Sequence, residues 1–479
     1  MLGIQKVIHQ ESRRKTLRNI KNRSIAIFYT CGTCNLKCTY CGIDKNPILA
    51  KIDKALEESF KGDYYFNQVQ KYFPYPDQLK RIETWGGEPF LGMDRIHHTL
   101  HKIIEHYPYF DQMYSSTNFS YPEWTDKVFN LLEQFGKYPE RKFTYELQLS
   151  MDGPEYINDM GRGQGVTQRC LENFDKLVEL IPNRLPPNVQ LNILVKQTLN
   201  NDSIRLLCDK QKIIEYYQYF EDMIDKVEKL GFANVKMECT IPNTATPSPV
   251  TVEEGKIFAE FVKLCRTIER ENPLKHYFRY YNRITPFGGD PISGSLSYNY
   301  CSTVCGSGST MVGFLPNGLI STCHEGFTNL YEDYKKYAAS STREEDGGTI
   351  NFANFVEDTS STIYCVTEEG HEAHEDYMSN YNSMGTSARL GNIVGTILAL
   401  AMAGQVDEKY LDEEEALKAA LFLQERTAYC IKDNYNRTGS FTCVPVGIIK
   451  LLLNGAIEYL NGWIDTGDVM EGDCCDIRN

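Results

Sequence analysis

The chain has 479 residues, 42% of them hydrophobic and 24% charged, which is enough apolar material for two or three domains and rules out disorder as a description of the whole. Its 50 Lys and Arg against 64 Asp and Glu leave a net charge of −14, and no long basic tract interrupts it. That balance excludes nucleic acid or an anionic membrane as the main partner and favours a small molecule or a peptide.

In chain order, short β-branched or aromatic runs alternate with stretches of helical period. The strand candidates are Ser24–Thr30, Lys80–Trp85, Gln112–Thr117, Thr144–Ser150, Val189–Val195 and Ala233–Thr240. Between them lie Ile96, Leu100, Ile103 and Ile104; Val128, Leu131 and Leu132; Phe174, Leu177, Val178 and Leu180; and Met223, Val227 and Leu230, all at three- and four-residue spacing. Six strand–helix units in series predict an α/β fold with a parallel sheet and right-handed crossovers. Six units fit an open partial (β/α)6 barrel better than a closed eight-unit one, and pattern alone leaves a doubly wound sheet open. Pro242, Pro247 and Pro249, followed by a helix over Val250–Arg270, mark the exit from this domain. From about Asp376 to Gly462 the pattern turns helical again. Its most apolar run, Val394 to Ala403, is too short to span a bilayer and reads as a buried helix. The expected division is 1–23 as an N-terminal segment, 24–245 as the barrel, 246–300 as a helical linker, 301–370 as a second cysteine region and 371–479 as a helical C-terminal region.

The sixteen cysteines carry the chemistry. The N-terminus lacks the apolar core of a signal peptide, so a cytoplasmic setting with reduced thiols is expected, where clustered cysteines point to metal. Directly after the first strand, Tyr29-Thr30-Cys31-Gly32-Thr33-Cys34-Asn35-Leu36-Lys37-Cys38-Thr39-Tyr40-Cys41 places Cys34, Cys38 and Cys41 at the spacing C-x3-C-x2-C. Three thiolates on one loop can hold three irons of a cubane cluster and leave the fourth open. A zinc site or buried thiols are the alternatives. Loops at the C-terminal ends of parallel strands are where barrel folds place their chemistry.

This segment resembles the cluster motif of the radical S-adenosylmethionine (SAM) enzymes. The resemblance implies a [4Fe-4S] cluster on Cys34, Cys38 and Cys41, with Tyr40 near the adenine of SAM and Cys31 a bystander. The next strand ends support it. Thr84-Trp85-Gly86-Gly87-Glu88-Pro89 is similar to the family's GGEP motif, which implies that the backbone of Gly86 and Gly87 and the Glu88 carboxylate meet the SAM ammonium; paired glycines permit close backbone approach and a carboxylate complements an amine. Ser116-Thr117-Asn118 resembles the TN turn, which implies that Asn118 belongs to the SAM-binding set. Leu149-Ser150-Met151-Asp152-Gly153-Pro154, continuing to Asn158-Asp159 and Arg162, resembles the corresponding stretch of the anaerobic sulfatase maturases. There Ser150 would contact the ribose and Arg162 the SAM carboxylate, with Asp152 in the same binding set.

Farther on, Cys305 and Cys323 stand in the form C-x12-G-x4-C, and Asn317-Gly318 between them predicts a hairpin with a tight two-residue turn. This resembles the opening of a SPASM or twitch extension, which implies at least one auxiliary iron–sulfur cluster, although the compact cysteine array of a full SPASM domain is absent. Cys430 and Cys443, flanking a turn-rich loop, are the expected further ligands. Cys170, Cys208, Cys239 and Cys265 sit in apolar periodic segments and read as core residues. His324, His371 and His374 read as solvated surface.

The expected function is that of a radical SAM maturase that abstracts hydrogen from a side chain of a ribosomally made peptide and forms a thioether or carbon–carbon crosslink. Formylglycine formation and epimerisation are alternatives, as is an iron–sulfur electron carrier or scaffold without catalysis. No residue is assigned to acid, base or hydrogen-donor catalysis. The implied partners are a peptide or protein substrate and a flavodoxin- or ferredoxin-type electron donor. Only about 23 residues precede the first strand, so leader-peptide recognition is expected from another surface or a separate protein. Tyr377, Tyr381, Tyr410, Tyr429 and Tyr435 could line a peptide cleft in the helical C-terminal region, or that region could be a covering bundle.

Overall fold

The computed structural model describes residues 23–41, 48–239, 243–245, 310–314, 320–321 and 397–426, together with single positions at 257, 261, 264, 268, 394, 395 and 453. Strands β1 (Ile25–Cys31), β2 (Arg81–Gly86), β3 (Gln112–Thr117), β4 (Phe143–Ser150) and β5 (Val189–Lys196) fall where the β-branched and aromatic runs predict them. A short β6 (Thr198–Asn200) follows, then β7 (Val235–Cys239) and β8 (Asn243–Ala245). The intervening helices are α1 (Ile48–Ser59), α2 (Tyr64–Tyr72), α3 (His97–His106), α4 (Trp124–Gly136), α5 (Glu155–Arg162), α6 (Val166–Arg184), α7 (Asn201–Leu207) and α8 (Lys210–Glu228). Each of the longer ones buries one stripe, as with Leu100, Ile103 and Ile104 on α3 and Val128, Leu131 and Leu132 on α4.

With two further strands, β9 (Met311–Phe314) and β10 (Ile320–Ser321), the order in the main sheet is β10-β9-β1-β2-β3-β4-β5-β7, and every pair from β9 to β7 is parallel. From β1 to β7 spatial order follows chain order, with no reversal. Right-handed crossovers then put every connecting helix on the same side, which makes a singly wound, open barrel rather than a doubly wound sheet. Register separates the two faces. Ala26, Ile82, Met113, Tyr145 and Leu191 stand side by side and are buried, as an apolar layer under the helices must be. On the opposite face Arg81 bridges Glu83 at 2.9 Å and Glu146 at 2.8 Å. There Tyr114 also donates to Gln148 at 2.6 Å, and Gln148 to Ser116 at 2.8 Å. Polar side chains lining the inner face suit a barrel that holds a polar ligand.

Two features lie outside what local pattern predicts. The hairpin of β9 (Met311–Phe314) and β10 (Ile320–Ser321) extends the barrel sheet by pairing β9 with β1. Phe314 is buried there, stacked on Phe28 with ring centroids 5.5 Å apart, and burial of such a ring contributes about 1.5–3 kcal/mol. The pairing of Phe314 with Ile320 leaves an odd number of residues between the strands, so the register is not that of the expected two-residue turn. Cys208 is the second correction. It is exposed, because α7 ends at Leu207 and Asp209 already caps α8, so the chain turns over the surface at the position that would have continued the buried stripe of Ile204 and Leu207. Cys170 and Cys239 are buried as expected, whereas Cys265 lies outside the described residues.

At 257, 261, 264 and 268 the described positions are helical, with Phe261 and Ile268 buried, in line with the expected helix. In the C-terminal region a helix at 397–402 buries Ile397, Leu400 and Ala401 but leaves Met402 79% exposed, so it is amphipathic rather than wholly buried. It is followed by a turn at Glu408–Leu411 and α9 (Glu413–Arg426), whose first turn is capped by the Asp412 carboxylate. Tyr410 is buried at 2% exposure and therefore belongs to a core, not to an open cleft; Tyr377, Tyr381, Tyr429 and Tyr435 lie outside the described residues. No helix among the described residues is long and apolar enough to cross a membrane.

Candidate functional site

The loop that follows β1 is held from three sides. Near its start, the Asp53 carboxylate on α1 accepts the backbone N–H groups of Gly32 (3.0 Å) and Thr33 (3.1 Å), and Arg95 donates to the same carboxylate at 3.0 Å and to Thr30 O at 2.8 Å. Burial works against the Asp53 anion, but these donors outweigh it and hold the carboxyl below its usual range. Neither Asp53 nor Arg95 is signalled by any local motif; they are brought to the loop from distant positions in the chain.

The second side is the end of β2. Gly87 N–H donates to Cys31 O and Glu88 N–H to Thr33 O, both at 2.8 Å. A Cβ on Gly86 would stand 2.1 Å from Cys31 O, and one on Gly87 would stand 2.2 Å from Thr33 O. The paired glycines are therefore needed for close approach to the backbone of the cysteine loop itself, a reason the motif alone does not reveal. Glu88 is 1% exposed. Its Oε1 accepts from Thr117 Oγ1 (2.7 Å) and Phe90 N (3.1 Å), and its Oε2 from Asn118 N (2.7 Å), so it ties the end of β2 to that of β3. Burial pushes this carboxyl up to about 7 against the three hydrogen bonds that favour its anion.

The third side is the unit that runs from the end of β4 through α5. Thr39 N donates to Gly161 O at 2.8 Å, and Tyr40 Oη donates to Asp152 Oδ2 at 2.5 Å. Arg162 donates to Asp152 Oδ1 at 2.7 Å and lies over the Tyr40 ring, 5.6 Å from its centroid. Asp152 and Arg162 are 1% and 6% exposed on their side chains. Asn158 accepts from Asp152 N, and Asp159 accepts from Gly165 N and Thr167 N, so this stretch is braced by its own polar residues. Ser150, the last residue of β4, is half-buried beside Lys196 of β5.

Cys34 and Cys38 are half-buried and Cys41 is exposed. The Cys34 sulfur accepts from Leu36 N and from Asn118 Nδ2, each at 3.4 Å. Donors aimed at a sulfur favour its thiolate, the form that binds metal. Cys31 differs: it is buried, donates to Thr33 O, and burial followed by the nearby Asp53 charge pushes its thiol up to about 12. Among the described residues no three His, Cys, Asp or Glu side chains converge as a single metal ion requires. A cluster makes a different demand, since each thiolate takes its own iron and the sulfurs stand farther apart.

A second observation bears on a ligand beside this loop. The buried Arg162 Nε has no acceptor among the described residues, and an unpaired buried donor is costly. A guanidinium with a donor to spare suits a carboxylate. The donor set and this orphaned N–H both fit an iron–sulfur cluster with an amino-acid-like ligand next to it. Cys305, Cys323, Cys430 and Cys443, together with His324, His371 and His374, lie outside the described residues.

No protein-family model matches the chain, and no curated protein is similar to it in sequence. Some solved structures are similar to it. Streptococcus suis SuiB bound to S-adenosylmethionine is 14% identical with a TM-score of 0.37, over 66% of this chain, which spans 62% of the length of SuiB. The same protein bound to its precursor peptide SuiA is 14% identical with a TM-score of 0.38, over 72% of this chain and 67% of that one. Native anSMEcpe with bound AdoMet is 12% identical with a TM-score of 0.43, over 92% of this chain and 100% of that one. Likeness at this level assigns no residue a role.

Proposed function

We propose that this chain is a radical SAM enzyme acting on a side chain of a peptide or protein. The observation that carries the reading is that the ends of β2, β3 and β4, each bearing a motif of that family, all hydrogen-bond the loop that carries Cys34, Cys38 and Cys41. In this reading the three cysteines hold a [4Fe-4S] cluster, which when bound supplies the electron that cleaves SAM to a 5′-deoxyadenosyl radical. Arg162, with its spare Nε, receives the SAM carboxylate. Glu88 has one lone-pair position left, on Oε2, for the ammonium, with the backbone of Gly86 and Gly87 beside it. Tyr40 and Ser150 take the adenine and ribose, and Asn118 and Asp152 order the walls.

The proposed outcome is a thioether or carbon–carbon crosslink on a ribosomally made peptide, assisted by at least one auxiliary cluster on Cys305 and Cys323 with Cys430 and Cys443. An auxiliary cluster favours net oxidation because it can take the second electron from the substrate radical. The similarity of the Ser150–Arg162 stretch to the sulfatase maturases supports formylglycine formation as a second reading. A flavodoxin- or ferredoxin-type protein is the proposed electron donor.

The test is anaerobic reconstitution with iron and sulfide, reduction, and addition of SAM. Formation of 5′-deoxyadenosine is expected, and a fully reconstituted protein that forms none is a scaffold or electron carrier instead. Replacing Cys34, Cys38 and Cys41 together by Ala should leave only the auxiliary iron, about four atoms per cluster.

A further inference from the structure

At the end of β3, three side chains close a ring against the cysteine loop. Ser120 Oγ donates to Asn118 Oδ1 at 2.8 Å, Asn35 Nδ2 donates to Ser120 Oγ at 2.9 Å, and Asn118 Nδ2 donates to Asn35 Oδ1 at 2.9 Å. The direction of this ring is not arbitrary. Ser120 N, which can only donate, also points at Asn118 Oδ1, at 3.1 Å. The oxygen of the Asn118 carboxamide therefore faces Ser120 and the nitrogen faces the loop. One hydrogen of that nitrogen is taken by Asn35, and the other is directed at Cys34 Sγ, 3.4 Å away.

The backbone is shaped for this purpose. Phe119, between the two ring members of this turn, has φ of +40°, the left-handed region that a Phe enters only under constraint, and it is the one such non-glycine residue among those described. Asn173 holds it there through bonds to Phe119 O (2.9 Å) and Tyr121 O (2.8 Å), and Cys170 Sγ donates to Asn118 O at 3.3 Å. Asn118, Ser120 and Asn173 are 7%, 1% and 7% exposed, so the arrangement is shielded from competing water.

We propose that Asn118 is a positioning residue for the metal centre: its carboxamide, aimed by Ser120 and Asn35, donates to the Cys34 sulfur and raises the reduction potential of the cluster bound there. A donor to a ligating sulfur stabilises the more negative reduced state more than the oxidised one, which is how hydrogen bonds tune such centres. The inference rests on the proposed cluster at Cys34, Cys38 and Cys41, and it deepens that reading by assigning Asn118 to the sulfur rather than to SAM.

The experiment is a potentiometric titration of the first cluster, followed by electron paramagnetic resonance on the reconstituted full chain without SAM, with iron counted in every sample. To isolate that cluster, Cys305 and Cys323 are replaced by Ala in all samples. Asn118→Ala should keep its iron and shift the midpoint to a more negative potential. Asn118→Asp, which sets a carboxylate beside the sulfur, should shift it further in the same direction. Ser120→Ala, which loosens the ring but leaves Ser120 N on Asn118 Oδ1, should give a smaller negative shift. An iron-loaded Asn118→Ala whose midpoint equals that of the parent, or lies above it, overturns the proposal. If Asn118→Ala does not load, an iron-loaded Ser120→Ala with an unmoved midpoint overturns it equally. A parent protein that takes up no iron overturns the cluster reading itself, and is recognised because no midpoint exists to compare.

Discussion

The ends of β2 and β4 both hydrogen-bond the cysteine loop and each buries a carboxylate, and they accommodate it by opposite means. Asp152 is met by a cation: Arg162, ten residues on and carried by α5, pairs with it at 2.7 Å, while Tyr40 Oη and Thr198 N complete its shell. Glu88, equally buried, has only neutral donors in direct contact, from Thr117, Asn118 and Phe90. A buried ion pair holds two charges in one geometry, and the loss of either partner strands the other. A buried carboxylate with neutral donors keeps a proton within reach of physiological pH. The β4 end is therefore a fixed electrostatic clamp on Tyr40, whereas the β2 end is a brace whose strength depends on pH.

The largest expected effect breaks the clamp. Arg162→Ala should destabilise the protein by about 3–5 kcal/mol in denaturant unfolding, because Asp152 is left charged and buried; a loss below about 1 kcal/mol would show that the pair is solvated. Next is the pH test of the brace. The folded-state value of Glu88, about 7, lies above the ordinary 4.5, so its stabilising contribution is fully present below about pH 4.5 and lost as pH rises through 7. The stability gap between wild type and Glu88→Gln should therefore move in favour of the variant, by on the order of 3 kcal/mol, between those limits. A gap independent of pH would mean that Glu88 is ionised throughout. A smaller effect is expected from Tyr40→Phe, which removes one donor to a charged acceptor and should cost about 1.5–3 kcal/mol, measured the same way. Smallest is Asn200→Ala, at a residue whose side chain bonds neither carboxylate. It deletes the cap on Ser203 N at 2.8 Å and should cost about 1 kcal/mol, which sets the scale for an ordinary polar contact.

How far the site was legible follows from the range of each interaction. Cys34, Cys38 and Cys41 occupy one loop of eight residues, and Asp152 to Arg162 one turn and one short helix, so their grouping is written locally. Asp53 and Arg95 are invisible in the same text. Nothing near Asp53 distinguishes it from the other acids of α1, and its role exists only because α1 passes over Gly32 and Thr33. The glycines of β2 were legible as residues needing close approach, but what approaches them, the backbone of Cys31 and Thr33, is a matter of sheet register.

The sequence by itself determined the six parallel strands, their helices and the loop with its three cysteines, because alternation of period two and stripes of period 3.6 are enforced residue by residue through burial. Only the tertiary structure decided that β9 would add to the free edge of β1, that Cys208 would fall outside the core, and that Asn118 would turn its amide toward Cys34. Each of these depends on which distant backbone offers an open edge, a stopping point or a donor, and that is set by packing among segments whose local patterns contain no record of one another.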